Sequence, residues 1–244
     1  MSSVLFAALA SVPRTKEIAP GVFMPYVNLG GVHSHPSNYS AWLQIGGLGL
    51  DTALMYGDDV QLTVGNAIKA SGIPRDKLFI TTKVPCCSAA DLGSSWCKWY
   101  DSEYTDLPAD TRAEIDLRLL GVASVDVMML HWPCDAMDDT IKTYRALEKF
   151  ALAGKARTVG ISNFNASAID ALYARGLRVP PSLNQCGFSI AGHNKTLLGR
   201  DLQTLAKCKE KGITYSAYSP LGGLSGVDVL SNPTVKQVRS APTA

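Results

Sequence analysis

No stretch of the 244-residue chain approaches the ~20 consecutive apolar residues of a membrane-crossing helix, so a helical membrane span is excluded. An excess of one charge is missing too. Lys and Arg number 23 and Asp and Glu 21, a net charge of +2 spread along the sequence. A phosphate-tracking surface needs a clustered basic excess, so no nucleic-acid partner is expected. The six cysteines form no CxxC pair and no Cys/His group repeats at zinc-ligand spacing; they read as unpaired thiols in a reducing, cytoplasmic setting. His33 and His35, even with His131 and His193, lack a carboxylate or cysteine to complete a metal set and read as loop histidines, so no metal is expected. The glycine fingerprint of a Rossmann turn is absent as well. Its nearest match, Gly46-Gly47-Leu48-Gly49, precedes a strand and lacks the third glycine.

What is present is a globular composition: 46% apolar and 18% charged, too apolar and too weakly charged for a disordered chain. A chain of this length buries roughly 70–75% of its unfolded surface without needing disulfides or metal. Residues 1–20 read as an N-terminal extension. Its run Val4–Ala10 lacks the basic residues that open a signal peptide, and targeting to a secretory route is kept as the alternative. Asn38, Asn165 and Asn194 head glycosylation tripeptides that have meaning only on that route. Residues 21–244 read as one domain.

Within that domain strands alternate with helices. Strands are expected at Met24–Leu29, Leu48–Ala53, Leu78–Lys83, Val125–His131, Thr158–Ser162, Ser182–Gln185 and Ile213–Tyr218. Helices are expected at Ser37–Ile45, Asp58–Ser71, Ala109–Leu120, Asp138–Ala153, Ala166–Ala174 and Lys195–Lys211, with one more starting near Thr234. In Asp58–Ser71, Val60, Val64, Ala67 and Ile68 share one helical face, and Gly72 and Pro74 end the helix. Residues 84–108 read as a long loop. The strands are continuously apolar, the mark of parallel strands covered on both sides. Without a Rossmann turn, a (β/α) barrel of the TIM type is the preferred fold.

Such a barrel carries its chemistry at the C-terminal strand ends and the loops after them. Those positions hold Asp51 and Tyr56, Lys83, His131, Ser162 and Asn163, Asn184 and Gln185, then Tyr218 and Ser219. A buried ammonium and carboxylate beside a phenol suit proton donation to a carbonyl oxygen. The ammonium lowers the phenol's pKa from near 10, and the carboxylate keeps the ammonium charged. His131 can orient the same oxygen. None of the four is a hydride source, so reduction requires a cofactor.

The blocks Leu50-Asp51-Thr52-Ala53-Leu54-Met55-Tyr56-Gly57 with Val64-Gly65, Thr82-Lys83, Leu130-His131-Trp132-Pro133, Val159-Gly160-Ile161-Ser162-Asn163-Phe164, Asn184-Gln185 and Ala217-Tyr218-Ser219-Pro220-Leu221-Gly222 occur in the order of the aldo-keto reductases, which the sequence closely resembles. The resemblance implies an eight-stranded barrel and NADPH-dependent reduction of an aldehyde or ketone, NADH not being excluded. It casts Tyr56 as general acid, Lys83 as its activator, Asp51 as the partner of Lys83 and His131 as the orienting donor. It gives Ser162, Asn163 and Gln185 to the nicotinamide carboxamide, Tyr218 to the nicotinamide ring, and Ser219 and Leu221 to the pyrophosphate. Gly30, Gly31 and Asp51 would also approach the cofactor, and Trp132 would line the substrate pocket.

The sequence departs from the family mainly at its end. The last helix and strand, and the Ile-Pro-Lys-Ser loop with its following Arg that grips the 2′-phosphate, have no counterpart before Ala244. Seven strands are therefore expected, with unpaired edges on the first and seventh. A weakly active or inactive relative that serves as a regulatory or partner-binding subunit is the alternative. Cys186-Gly187 replaces a usual Glu two residues after Gln185, and Asn28 replaces a common Gly.

Overall fold

The computed structural model describes residues 14–32, 37–87, 104–105, 107–190, 198–222 and 228–240. The run Val4–Ala10, His33, His35, His193, Cys97 and most of the 84–108 loop lie outside these.

Nine strands and seven helices are described. Strands β1 (Thr15–Ala19) and β2 (Val22–Pro25) form an antiparallel hairpin. Strands β3 (Leu29–Gly30), β4 (Gly49–Asp51), β5 (Phe79–Val84), β6 (Val125–Leu130), β7 (Ala156–Ser162), β8 (Leu183–Gly187) and β9 (Thr214–Tyr218) form one parallel sheet in sequence order. Helices α1 (Tyr39–Gln44), α2 (Asp58–Ser71), α3 (Ala109–Leu120), α4 (Met137–Leu152), α5 (Ala166–Tyr173), α6 (Leu202–Glu210) and α7 (Pro233–Ser240) fall between or after the strands. The result is an incomplete (β/α) barrel of seven strands, and β3 and β9 do not pair with each other among the described residues.

Three expectations about elements are corrected. The strand expected at Met24–Leu29 is divided: Met24 belongs to the hairpin, and only Leu29–Gly30 joins the barrel. Thr15–Ala19, assigned from sequence to an extension, is the hairpin's first strand. Helix α6 begins at Leu202 rather than Lys195. Gly199 adopts φ 68°, and Asp201 caps the helix by accepting from the Thr204 amide at 2.7 Å. A glycine followed by a side-chain cap sets a sharper start than the apolar spacing reveals.

The alternation of strand side chains sorts the core into two. Ile80, Met128, Leu130, Val159 and Ile161 face outward and pack with Leu117, Leu120, Tyr144, Leu147 and Ile169, all fully or nearly fully buried. Phe79, Val127, Met129 and Leu183 face the interior and pack with Ile18, Val22 and Met24. The hairpin thus stoppers the N-terminal end of the barrel. Gly65 lets α2 lie close on α3, since a Cβ there would sit 2.8 Å from the Leu119 carbonyl oxygen.

At that stoppered end Asp126 is buried with a full set of donors. Arg75 Nη2 reaches Oδ2 at 2.8 Å, the Ile80 amide donates to Oδ2 at 2.8 Å, and Arg157 Nη1 reaches Oδ1 at 3.0 Å. Three donors, two of them cationic, answer the carboxylate, so its burial is compensated.

Candidate active site

The interior parity that carries Phe79 to the floor carries Thr81 and Lys83 to the opposite end. The same parity brings Asp51, Ser162, Gln185 and Tyr218 to the C-terminal strand ends, with His131 one residue beyond β6. There they border a cleft of about 660 Å³, lined also by Gly30, Gly31, Tyr56, Trp132, Asn163 and Ser219. Tyr56 is placed by a short 3-10 turn, Leu54–Tyr56, that Gly57 ends at φ 105° before α2 begins.

Lys83 is the most enclosed charge in the molecule's site, 1% exposed. Its ammonium donates to Asp51 Oδ1 at 2.5 Å and to the Thr52 carbonyl at 2.9 Å. It lies 5.6 Å from the centre of the Tyr56 ring. Burial alone would drive a lysine toward neutrality, but Asp51 and the neighbouring groups more than offset this and raise its pKa. The ammonium is therefore charged at neutral pH.

The phenol behaves differently from the sequence expectation. Burial raises the Tyr56 pKa above 10, and the Lys83 ammonium, as charge and as hydrogen-bond donor, only opposes that rise. Desolvation is the larger influence, because burial among neighbouring side chains strips solvation from the phenolate. His131 is pushed well below its ordinary value, first by burial and then by Lys83, so its ring is neutral. The ring meets Tyr56 edge-on at 5.9 Å and Trp132 at 4.7 Å. His131 Nδ1 is buried without a hydrogen-bond partner.

The second flank meets the cleft with uncharged side chains. Gln185 Nε2 donates to Asp51 Oδ2 at 2.6 Å. Asn163 Nδ2 donates to the His131 carbonyl at 3.0 Å, and Ser162 Oγ donates to the Gln185 carbonyl at 2.7 Å. The Tyr218 hydroxyl donates to Asn163 Oδ1 at 2.9 Å while accepting from Arg200 Nη2 at 2.5 Å. Asn163 and Ser219 take positive φ, 62° and 52°. Left-handed backbone at non-glycine positions clusters at functional sites and marks both loops.

Of the residues singled out from sequence, Leu221 falls outside the cleft, with 59% exposure. Gly31 does border it, but a Cβ there would meet the Tyr39 hydroxyl at 2.4 Å, so the tyrosine of α1 is what requires glycine. Sequence reading missed the walls Met24, Tyr26, Val27, Val32 and Leu183. Exposed apolar side chains such as Tyr26 and Val27 carry no motif, and only their proximity to the strand ends gives them meaning.

The cysteines are corrected as well. Cys86 and Cys134 form a disulfide, with Cα atoms 5.2 Å apart. Val84 pairs with Leu130 in the sheet register, so the two loops leave neighbouring strands side by side. A sequence separation of 48 hides that adjacency. Cys87 is also disulfide-bonded, whereas Cys186 and Cys208 are free and buried. Trp132 Nε1 donates to the Cys86 carbonyl at 3.2 Å, which ties the bridge to the cleft wall.

No described helix is long and apolar enough to cross a membrane, and no group of metal-ligating side chains occurs among the described residues. Among known proteins, the chain is 28% identical over 263 residues to glycerol 2-dehydrogenase (NADP(+)) of Saccharomyces cerevisiae, covering 95% of this chain and 76% of that protein. It is 32% identical over 238 residues to glyoxal reductase of Bacillus subtilis, covering 94% and 76%. A solved aldo/keto reductase from Brucella melitensis superposes with a TM-score of 0.73 at 27% identity, covering 93% of this chain and 78% of that one. Some relatives are matched over as little as 59% of their length. The sequence model of the Aldo/keto reductase family matches residues 39–239. With that match, the barrel and the ordered strand-end residues, this chain belongs to the aldo/keto reductase family.

Proposed function

We propose that the protein reduces an aldehyde or ketone to an alcohol, with Tyr56 donating the proton to the carbonyl oxygen. The observation that carries this reading is the buried, charge-compensated Lys83 beside the Tyr56 phenol. The family membership and the carbonyl chemistry named for its relatives support it.

The residues fit a nicotinamide cofactor. Gly30 leaves open space where a Cβ would stand, a buried imidazole nitrogen lacks a partner, and the Tyr218 ring borders the cleft beside three side chains able to bond an amide. Ser162, Asn163 and Gln185 would hold the carboxamide and Tyr218 the ring. Ser219, Gly30 and Gly31 would approach the rest, with Leu221 reaching in only after a rearrangement. A bound NADPH supplies the hydride; NADH would supply the same.

The protein's own part is acid catalysis and orientation. The neutral imidazole of His131 donates a hydrogen bond to the carbonyl oxygen and fixes its direction without adding charge. Tyr56 then gives up its proton as that oxygen becomes strongly basic, which a phenol of raised pKa can do once the acceptor is more basic still. Lys83 steadies the phenolate left behind, and Asp51 keeps Lys83 charged and in place. Among the described lining residues Asp51 alone carries a formal charge, and it is already paired. The walls Tyr26, Val27, Val32 and Trp132 therefore favour an uncharged carbonyl compound with an apolar or aromatic body.

The test mixes the purified chain with NADPH and an aromatic aldehyde and follows loss of nicotinamide absorbance. Turnover that vanishes in Tyr56→Phe is expected. An unchanged rate in that variant removes Tyr56 from the reaction.

A further inference from the structure

Directly behind the ammonium lies a second acid that the reaction does not use. Asp116, on α3, is fully buried. It faces Thr82, the outward-pointing neighbour of Lys83, whose hydroxyl donates to Oδ2 at 2.6 Å. Gln61 of α2 donates to Oδ1, and the Gln61 carbonyl oxygen accepts from the Thr52 hydroxyl. Thr52 is the residue whose backbone carbonyl holds Lys83 Nζ. Thr52, Gln61 and Thr82 are buried without remainder. Hydrogen bonds thus tie Asp116 through Gln61 to the Thr52 side chain, and the Thr52 carbonyl in turn holds the Lys83 ammonium.

No cation lies within ion-pair distance of Asp116 among the described residues. A carboxylate buried on neutral donors alone costs stability. The Asp126 set at the other end of the barrel has two arginines and shows what compensation looks like. The charged and titratable groups facing Asp116 are Lys83 from β5 and Asp58 from α2; Asp58 accepts from the Tyr104 hydroxyl at 2.8 Å. Beyond Lys83 stand Asp51, Tyr56 and His131. Arg112, one turn earlier on α3, donates instead to the Cys87 carbonyl at 3.2 Å.

We propose that Asp116 is a positioning residue of the reducing site, fixing the carbonyl that holds Lys83 and placing a second negative charge behind the ammonium. The proposal rests on the reading that Lys83 serves Tyr56. Its consequence follows from Coulomb's law: with Asp116 charged, part of the ammonium's field is answered from behind and less acts on the phenol. Burial pushes the Asp116 carboxyl up to about 7, against the bonds from Thr82 and Gln61 and the pull of Lys83. The charge therefore appears as pH rises through neutrality, and Tyr56 becomes the weaker acid on the alkaline side.

The experiment reads Lys83 itself, independently of activity. In protein labelled with ¹³C at lysine Cε, the Lys83 signal is identified by its loss in Lys83→Met. It is expected to shift with pH with a midpoint near that of Asp116 and to lose that step in Asp116→Asn. Thr82→Val removes a bond that favours the charged carboxylate, so it moves the midpoint upward, and it serves should Asp116→Asn not fold. A flat Lys83 signal in the wild type, a step that survives in Asp116→Asn, or an unmoved midpoint in Thr82→Val overturns the proposal. In turnover, aldehyde-reduction kcat is expected to fall about threefold between roughly pH 6 and pH 8 in the wild type, a modest charge effect relayed inside a protein. That step is absent in Asp116→Asn. An NMR step without any turnover in the wild type rejects the reductase reading while leaving the Asp116–Lys83 coupling intact.

Discussion

Two buried aspartates sit at opposite ends of the same barrel and are handled in opposite ways. Asp126, at the stoppered end, is answered by two guanidinium groups and a backbone amide. Asp51, at the cleft, is answered by one ammonium and one neutral amide. Arginine presents a rigid fork that saturates a carboxylate, whereas lysine is a compact point charge with three donors. Two Lys83 donors are spent on Asp51 and Thr52, which leaves one direction for the Tyr56 side. The difference separates a pair that only holds structure from one that holds structure and still has something to give.

Substitutions can break that comparison. At the cleft, Tyr56→Phe should lower kcat for carbonyl reduction by about a thousandfold, near 4 kcal/mol, the usual range for losing a general acid. Its melting temperature should stay close to that of the wild type. Steady-state kinetics beside a thermal melt checks both halves. At the other end, Asp126→Ala should cost about 3 kcal/mol of stability, because it leaves the Ile80 amide without its acceptor and strands Arg75. Its kcat should be unchanged, and a fall in kcat as large as the fall in stability would merge the two roles that the comparison keeps apart.

A subtler probe sharpens the neutral flank. Gln185 spends one amide hydrogen on Asp51, which leaves its second hydrogen and its carbonyl oxygen to hold a carboxamide. Gln185→Ala should weaken NADPH binding about tenfold, roughly 1.4 kcal/mol for a lost hydrogen bond, as read by fluorescence titration. A separate effect is expected on the pH dependence of stability. The folded-state pKa of Asp116 is raised, so its contribution is full at acid pH below the unfolded value of 3.8 and is lost as pH rises toward about 7. Urea unfolding at several pH values should show wild type losing ground to Asp116→Asn across that window. Parallel curves would contradict the raised value.

Much of this site was legible in the residues alone, for a physical reason. Strand parity and the rule that barrels work at their C-terminal ends are enough to bring Asp51, Lys83, His131, Ser162, Gln185 and Tyr218 together. The helices Asp58–Ser71 and Ala109–Leu120 have the bounds expected from sequence. What could not be read depends on pairing across space. The Cys86–Cys134 bridge needs the register of β5 against β6. The direction of the Tyr56 pKa needs the balance between burial and one nearby cation, and sequence reports only the cation. Asp116 shares the buried face of its helix with Ala113, Leu117 and Leu120, but its partners Thr82 and Gln61 come from other elements and no local spacing names them.

The hairpin formed by Thr15–Ala19 and Val22–Pro25 has a kinetic consequence. With Ile18, Val22 and Met24 plugging the floor, cofactor and substrate cannot enter from that end and must share the C-terminal side of the barrel. Whichever ligand seats deeper has to arrive before its companion and depart after it, so product-inhibition patterns should be those of compulsory order rather than of random entry.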